Sequence, residues 1–142
     1  MVQRVAEARV SVDGEVVGEI GTGLCVLLGV ATGDSSATAL TMAKRLYGLR
    51  LLADDAGVMN RSVGDVGGGM LVISQFTLLG DTSRGRRPSW SGAAPAAEAE
   101  PLVEEVVAEL GRMGATVATG RFGAHMVVEI VNDGPVTVVV EV

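Results

Sequence analysis

At 142 residues, with 48% hydrophobic and 20% charged side chains, the chain has the composition of a globular protein and the length for one cored domain over residues 1–142. A net charge of −6 excludes the broad basic face of a general nucleic-acid coat protein, and 3% aromatic content disfavours base-stacking modules. No apolar run approaches the roughly 20 residues that span a bilayer, and Met1–Glu7 lacks the basic-then-apolar layout of a signal peptide, so a cytoplasmic protein is expected.

Val2–Val12 places Val2, Val5, Val10 and Val12 among polar residues, an imperfect strand pattern. With Asp13-Gly14 and Glu15–Ile20 it reads as a hairpin closed by a two-residue turn. Leu24–Val30 is apolar on both faces and should be a central strand; it encloses Cys25, the only cysteine, expected as a buried and inert thiol. Gly33–Ser36 can cap a helix over about Ala37–Tyr47, with Lys44 and Arg45 in its last turn. Leu49–Ala53 and Val58–Ser62 read as two strands about Asp54–Gly57. The glycine-rich Gly64–Gly69 leads into a second buried strand, Met70–Phe76.

Gly80–Ala94 is polar and irregular. Pro95 suits a helix N-terminus, and Ala96–Arg112 should be helical. Leu102, Val103, Val106, Val107 and Leu110 make its buried stripe; Glu98, Glu100, Glu104, Glu105 and Glu109 make its wet face. Thr116–Thr119 is a short strand candidate. Two further runs, Met126–Val131 and Val136–Val142, flank Asn132–Pro135, where Asn-Asp-Gly would make a turn and Pro135 removes a donor. That stretch is either an ordinary turn or a rigid loop that aims two backbone carbonyls. Two helices among about eight strands imply a mixed α/β fold, a largely antiparallel sheet or partial β-barrel covered by two helices. The apolar last strand needs a cover, and a homodimer supplies one.

The usual catalytic sets are missing. His125 is the only histidine, so a histidine metal site within one chain is unavailable, and no metal or cofactor is expected. No Gly-x-Ser-x-Gly elbow or Walker loop occurs. Ser74-Gln75-Phe76-Thr77 places hydroxyls and an amide at a strand end, where backbone N–H groups could hold an oxyanion or simply satisfy neighbouring backbone. Arg84, Arg86 and Arg87 form a compact basic loop suited to phosphate contacts.

Ser74-Gln75-Phe76-Thr77 and Asn132-Asp133-Gly134-Pro135-Val136-Thr137, in this order, with Gly85–Ser89 and Thr119–Ala124 between them, resemble the signature motifs of D-aminoacyl-tRNA deacylases. The resemblance runs from Val2-Gln3-Arg4-Val5 to the C-terminus. It implies a homodimer with active sites at the subunit interface and tRNA as partner, with no DNA or membrane partner. The reaction it implies is hydrolysis of the ester between tRNA and a D-amino acid, or glycine mischarged on alanine tRNA, as chiral proofreading in translation quality control.

The resemblance further implies a cis Gly134–Pro135 bond that enters the partner's site and rejects L-esters, braced by Arg4. Ser74, Gln75, Phe76 and Thr77 would surround the scissile carbonyl, with the terminal ribose 2′-hydroxyl assisting catalysis. Phe122, Gly123, Ala124 and Met126 match the adenosine pocket. Leu79 stands where the family often has tyrosine, and His125 where it often has an acid. Two other readings are a non-catalytic dimeric tRNA-end binder using the three arginines and a small-molecule esterase using Thr77 or Ser74.

Overall fold

The computed structural model describes residues 1–142. β1 (Val2–Val12) and β2 (Glu15–Ile20) form the expected hairpin. Asp13 and Gly14 both adopt left-handed backbone, φ 51° and 81°, which is the geometry a two-residue hairpin turn requires. β3 (Gly23–Leu28) pairs with the first part of β1, antiparallel, and β6 (Gly69–Ser74) pairs with β3 in parallel. β7 (Thr116–Thr119) adds a further parallel strand, and β8 (Val127–Val138) runs antiparallel along β1. The order β2-β1-β3-β6-β7, with β8 on β1, is a mixed, largely antiparallel sheet. It curls into a nearly closed barrel: β2 returns to β7 at Gly18, where an added Cβ would lie 2.4 Å from the Thr119 carbonyl oxygen.

Alternation along the two central strands builds two cores. Leu24, Val26 and Leu28 of β3 and Met70 and Val72 of β6 pack with Ala39, Ala43 and Leu46 of α1 (Ser36–Tyr47) and Val106 and Leu110 of α3 (Ala96–Arg112). Cys25, Leu71 and Ile73 point the other way, onto Val5, Ala8 and Val10 inside the barrel. Truncating a fully buried residue such as Leu46, Leu110 or Met70 to alanine would cost about 2–5 kcal/mol. Burial pushes the Cys25 thiol up to about 11, so it stays protonated.

Several local expectations change. The runs Met126–Val131 and Val136–Val142, read as two strands about a turn, belong instead to one strand, β8, which ends at Val138. Both halves pair with β1, and a bulge absorbs the extra residues without reversing the chain. Gln3 faces Thr137 and Val5 faces Asn132, so Asp133–Val136 stand out of register. The register breaks on either side of Val5 also explain the irregular valine pattern of β1. β4 (Leu52–Ala53) and β5 (Met59–Arg61) form only a small hairpin beside the main sheet.

A third helix, α2 (Val63–Val66), stands in the glycine-rich stretch, capped by Ser62 and ended by Gly67 at φ 64°. Phe76, expected in a strand, begins a 3-10 turn, because the chain leaves the sheet at Gln75. α1 starts at Ser36 behind the Ser35 cap.

Glu109 does not join the wet face of α3. It is buried, 7% exposed, with both carboxylate oxygens accepting from Arg112 at 2.7 and 2.6 Å. Those hydrogen bonds hold its carboxyl below the ordinary glutamate range. The pair therefore contributes stability above that range and loses it as pH falls through the depressed value. Glu109→Gln should lower the Tm at neutral pH, with the gap from the parent protein narrowing in acid; thermal denaturation at both pH values checks this.

Candidate functional site

Ser74 closes β6, and the Gln75 N–H donates to the Leu28 carbonyl at 2.7 Å before the chain turns away. Phe76–Leu79 then make one 3-10 turn, with the Leu78 N–H on the Gln75 carbonyl and the Gly80 N–H on the Thr77 carbonyl. The N–H groups of Phe76 and Thr77, at its start, have no partner within the turn. Ser74 and Gln75 are half-buried, whereas Phe76 and Thr77 are exposed. The Gln75 amide donates to the Thr77 hydroxyl. Leu79 is seated on Gly29, where an added Cβ would come within 2.5 Å of its Cδ2.

The end of β7 lies beside this turn, since Val72 pairs with Thr119 and the Gly120 N–H reaches the Val72 carbonyl at 3.4 Å. The Met126 sulfur packs on Gly120, 2.5 Å from where a Cβ would be. Phe122, Ala124 and Met126 are half-buried; Gly123 and His125 are exposed. On the other side, Asp81 and Ser89 pair through two backbone hydrogen bonds of 2.8 and 3.0 Å, closing a small hairpin that carries Arg84, Arg86 and Arg87. All three arginines are exposed and form no ion pair. Hydrogen bonds from Ser83 keep the Asp81 carboxyl below its ordinary range, so it remains an anion.

The β8 bulge is the third component. Gly134 has φ 125°, and the Gly134–Pro135 bond is cis. Arg4, on β1, donates through Nε to the Asp133 carbonyl at 3.2 Å and through Nη1 to the Leu51 carbonyl at 3.0 Å. Its ion pair with the Asp133 carboxylate adds little, because that partner is 59% exposed. The Asn132 amide spans the base of the bulge, donating to the Arg4 carbonyl at 2.8 Å and the Val136 carbonyl at 3.0 Å. Gln3 holds the far side through the Thr137 hydroxyl at 3.1 Å. Gly134 and Pro135, out of register with β1, keep their carbonyls free of sheet pairing.

Comparison with known proteins gives the chain's family. The family model for D-Tyr-tRNA(Tyr) deacylase matches residues 1–141. The D-aminoacyl-tRNA deacylase of Heliobacterium modesticaldum is 59% identical over 141 residues, covering 99% of this chain and 94% of the relative. That of Deinococcus radiodurans is 57% identical over 142 residues, covering 100% and 98%. The chain belongs to the D-aminoacyl-tRNA deacylase family.

Among solved structures, one described as c-Myc DNA Unwinding Element Binding Protein superposes on this deacylase-family chain with a TM-score of 0.94 at 37% identity, covering 99% of this chain and 96% of that one. A probable eukaryotic D-amino acid tRNA deacylase shares the fold alone, with a TM-score of 0.77 at 13% identity over 94% and 93% of the two chains.

One chain of this family member brings Ser74–Thr77 together with Phe122–Met126 and the arginine hairpin, but not with Gly134–Pro135. Arg4 is level with Leu24 and Met70, so β1 and β3 separate the bulge from β6. Along the sheet that is three strand spacings, roughly 14 Å, plus about 13 Å from Met70 to Ser74. No hydrogen bond joins the Gly134–Pro135 bulge to the Ser74–Thr77 turn.

Sequence reading missed the Asn132 bridge, the Leu51 carbonyl under Arg4, and Trp90, whose ring meets Phe76 edge-on at 5.7 Å. Only Trp90 left a readable signal, as a large ring in a polar stretch. Asn132→Ala removes the donor of two carbonyls and should cost about 1–3 kcal/mol, read from urea denaturation.

Proposed function

We propose that the chain hydrolyses the ester joining a D-amino acid, or glycine on alanine tRNA, to the 3′-terminal adenosine of tRNA, and spares L-esters. The observation that carries this reading is the Gly134–Pro135 bulge, a pair of free backbone carbonyls gripped from both sides by Arg4 and Asn132.

In this account the terminal adenosine sits by Phe122, Gly123, Ala124 and Met126. The ester carbonyl lies at the Ser74-Gln75-Phe76-Thr77 turn, its developing oxyanion held by the open N–H groups of Phe76 and Thr77. Water adds to the carbonyl, and the bond to the ribose oxygen breaks. Free D-amino acid and tRNA leave, with the adjacent ribose 2′-hydroxyl assisting the proton transfers. The substrate ammonium donates to the Gly134 and Pro135 carbonyls. Those oxygens leave room for hydrogen on one side of the α-carbon and collide with an L side chain there, whereas a D side chain points away and glycine has none. Arg84, Arg86 and Arg87 serve the tRNA backbone.

Thr77 is a poor nucleophile in this arrangement. Its hydroxyl partner is the Gln75 amide, which cannot take a proton, and an activated threonine needs a base. Positioning and oxyanion stabilisation suffice for an activated aminoacyl ester.

A second copy of the chain completes the site, because the bulge is too far along the sheet to reach its own Ser74 turn. β8 leaves its outer edge unpaired, and Val127 and Val131 on it, with Val139 just beyond it, are 57%, 51% and 75% exposed, an apolar surface that a homodimer would cover. The reading places the protein in the cytoplasm with tRNA. No helix is long and apolar enough to cross a membrane.

The purified protein should release D-tyrosine from D-tyrosyl-tRNA and leave L-tyrosyl-tRNA intact; equal cleavage of both would contradict the chiral filter. Tight tRNA binding without turnover of any aminoacyl ester would instead support a non-catalytic tRNA-end binder, and cleavage of simple esters without RNA a small-molecule esterase. Thr77→Ala should retain D-ester turnover within about tenfold, since orientation carries the reaction. Gly134→Val should abolish it. A β-branched residue is strained at φ 125°, and its Cβ would meet Val136 Cγ2 at 2.8 Å and Arg4 Nη2 at 2.9 Å.

A further inference from the structure

Trp90 is the chain's only tryptophan, and it is 40% exposed. Its ring meets Phe76, 58% exposed, edge-on with a centroid separation of 5.7 Å and an interplanar angle of 71°. The indole packs close over Gly80, where an added Cβ would sit 3.2 Å from Nε1. Trp90 directly follows Ser89, one end of the pair that closes the arginine hairpin. The hairpin thus presents two open aromatic rings at its root and three unpaired cations along it, in a chain whose net charge is −6. Its one carboxylate, Asp81, accepts from the Ser83 N–H at 2.8 Å.

Exposed aromatics beside unpaired arginines are the combination that holds single-stranded nucleic acid, because every base has a face to stack and every step a phosphate. Phe76 also belongs to the Ser74–Thr77 turn, so the platform is continuous with the place proposed for the ester. We infer that Trp90, with Phe76, forms a stacking subsite for an unpaired base of the tRNA acceptor end next to the terminal adenosine, while Arg84, Arg86 and Arg87 take its phosphates. This rests on the aminoacyl-tRNA reading of the site and adds a specific base contact to it. A hydrophobic protein partner is less suited to the same surface, since it would leave three guanidinium groups without anions.

Two measurements test the subsite. The first is Trp90 emission, which reports only this ring. An uncharged acceptor-stem RNA hairpin with its unpaired 3′ tail should quench it, and the same hairpin with a blunt end should not. Equal quenching by both, or none by either, overturns the proposal. The second is kinetics on D-tyrosyl-tRNA and on D-tyrosyl-adenosine, which lacks the neighbouring base. Trp90→Ala and Trp90→Leu should each raise KM for the tRNA ester about tenfold, the effect of one lost stack. On the adenosine ester the change should be several-fold smaller, and Trp90→Phe should restore the tRNA value.

Trp90→Leu keeps an apolar contact with Phe76, so it separates stacking from loop packing. Equal losses on both substrates, full activity of Trp90→Leu, or a changed oligomeric state in these variants would contradict the assignment. A parent protein that cleaves neither ester would sink the deacylase reading, and the fluorescence experiment would still decide the stacking subsite by itself.

Discussion

β1 hydrogen-bonds to β3 through Val2–Val5, to β2 through Ala8–Val12, and to β8 along its opposite edge. Those partners leave it no freedom to shift register, since a one-residue slip would turn Val5, Ala8 and Val10 out of the barrel. β8 must pair with this fixed strand, yet between Thr137 and Asn132 it has more residues than β1 can match. The excess is expelled as the Gly134–Pro135 bulge. Because its position is set by the whole sheet, its carbonyls stand at a defined place on the surface. Arg4 and Asn132 are themselves anchored on β1 and β8 and limit the remaining motion.

The rest of the proposed chemistry follows from what surrounds that bulge and the Ser74 turn. Neither offers a general base aimed at a nucleophile. The Gln75 amide occupies Thr77, the Asp81 carboxylate is committed to Ser83, and the Asp133 carboxylate beside the bulge pairs with Arg4. Backbone groups remain: N–H donors at the start of a 3-10 turn and carbonyl acceptors at a bulge. Such groups suit a labile ester whose stereochemistry must be judged, since they carry rigid geometry and no side-chain identity to match. In the proposed reading they also leave the D side chain without a contact.

Local signals in the sequence were sufficient where local physics decides. Asp13-Gly14 reads as a hairpin turn because few other residues accept two successive left-handed conformations, and α3 reads as a helix from its apolar stripe. The apolar runs of β3 and β6 read as buried strands, but nothing in them says that they pair in parallel. β8 was misread as two strands because the turn chemistry of Asn-Asp-Gly is the same whether the chain reverses or bulges; only β1 distinguishes the two. Glu109 was misplaced because its spacing matches the other glutamates, while Arg112 neutralises it. The motif residues proposed for the site are named by resemblance. Their division between two ends of the sheet was not, since it depends on strand order rather than on any run of residues.

The central claim is that the Gly134–Pro135 bulge of one chain completes the Ser74 turn of another. Mixed dimers test it most directly. Chains carrying Gly134→Val are refolded with chains whose turn is blocked by Ser74→Tyr, each inactive alone, and D-tyrosyl-tRNA hydrolysis is measured. The account predicts recovered activity, since one site in each mixed dimer combines an intact turn with an intact bulge from its partner. A mixture as inactive as its parents, with mixed dimers present, would contradict it.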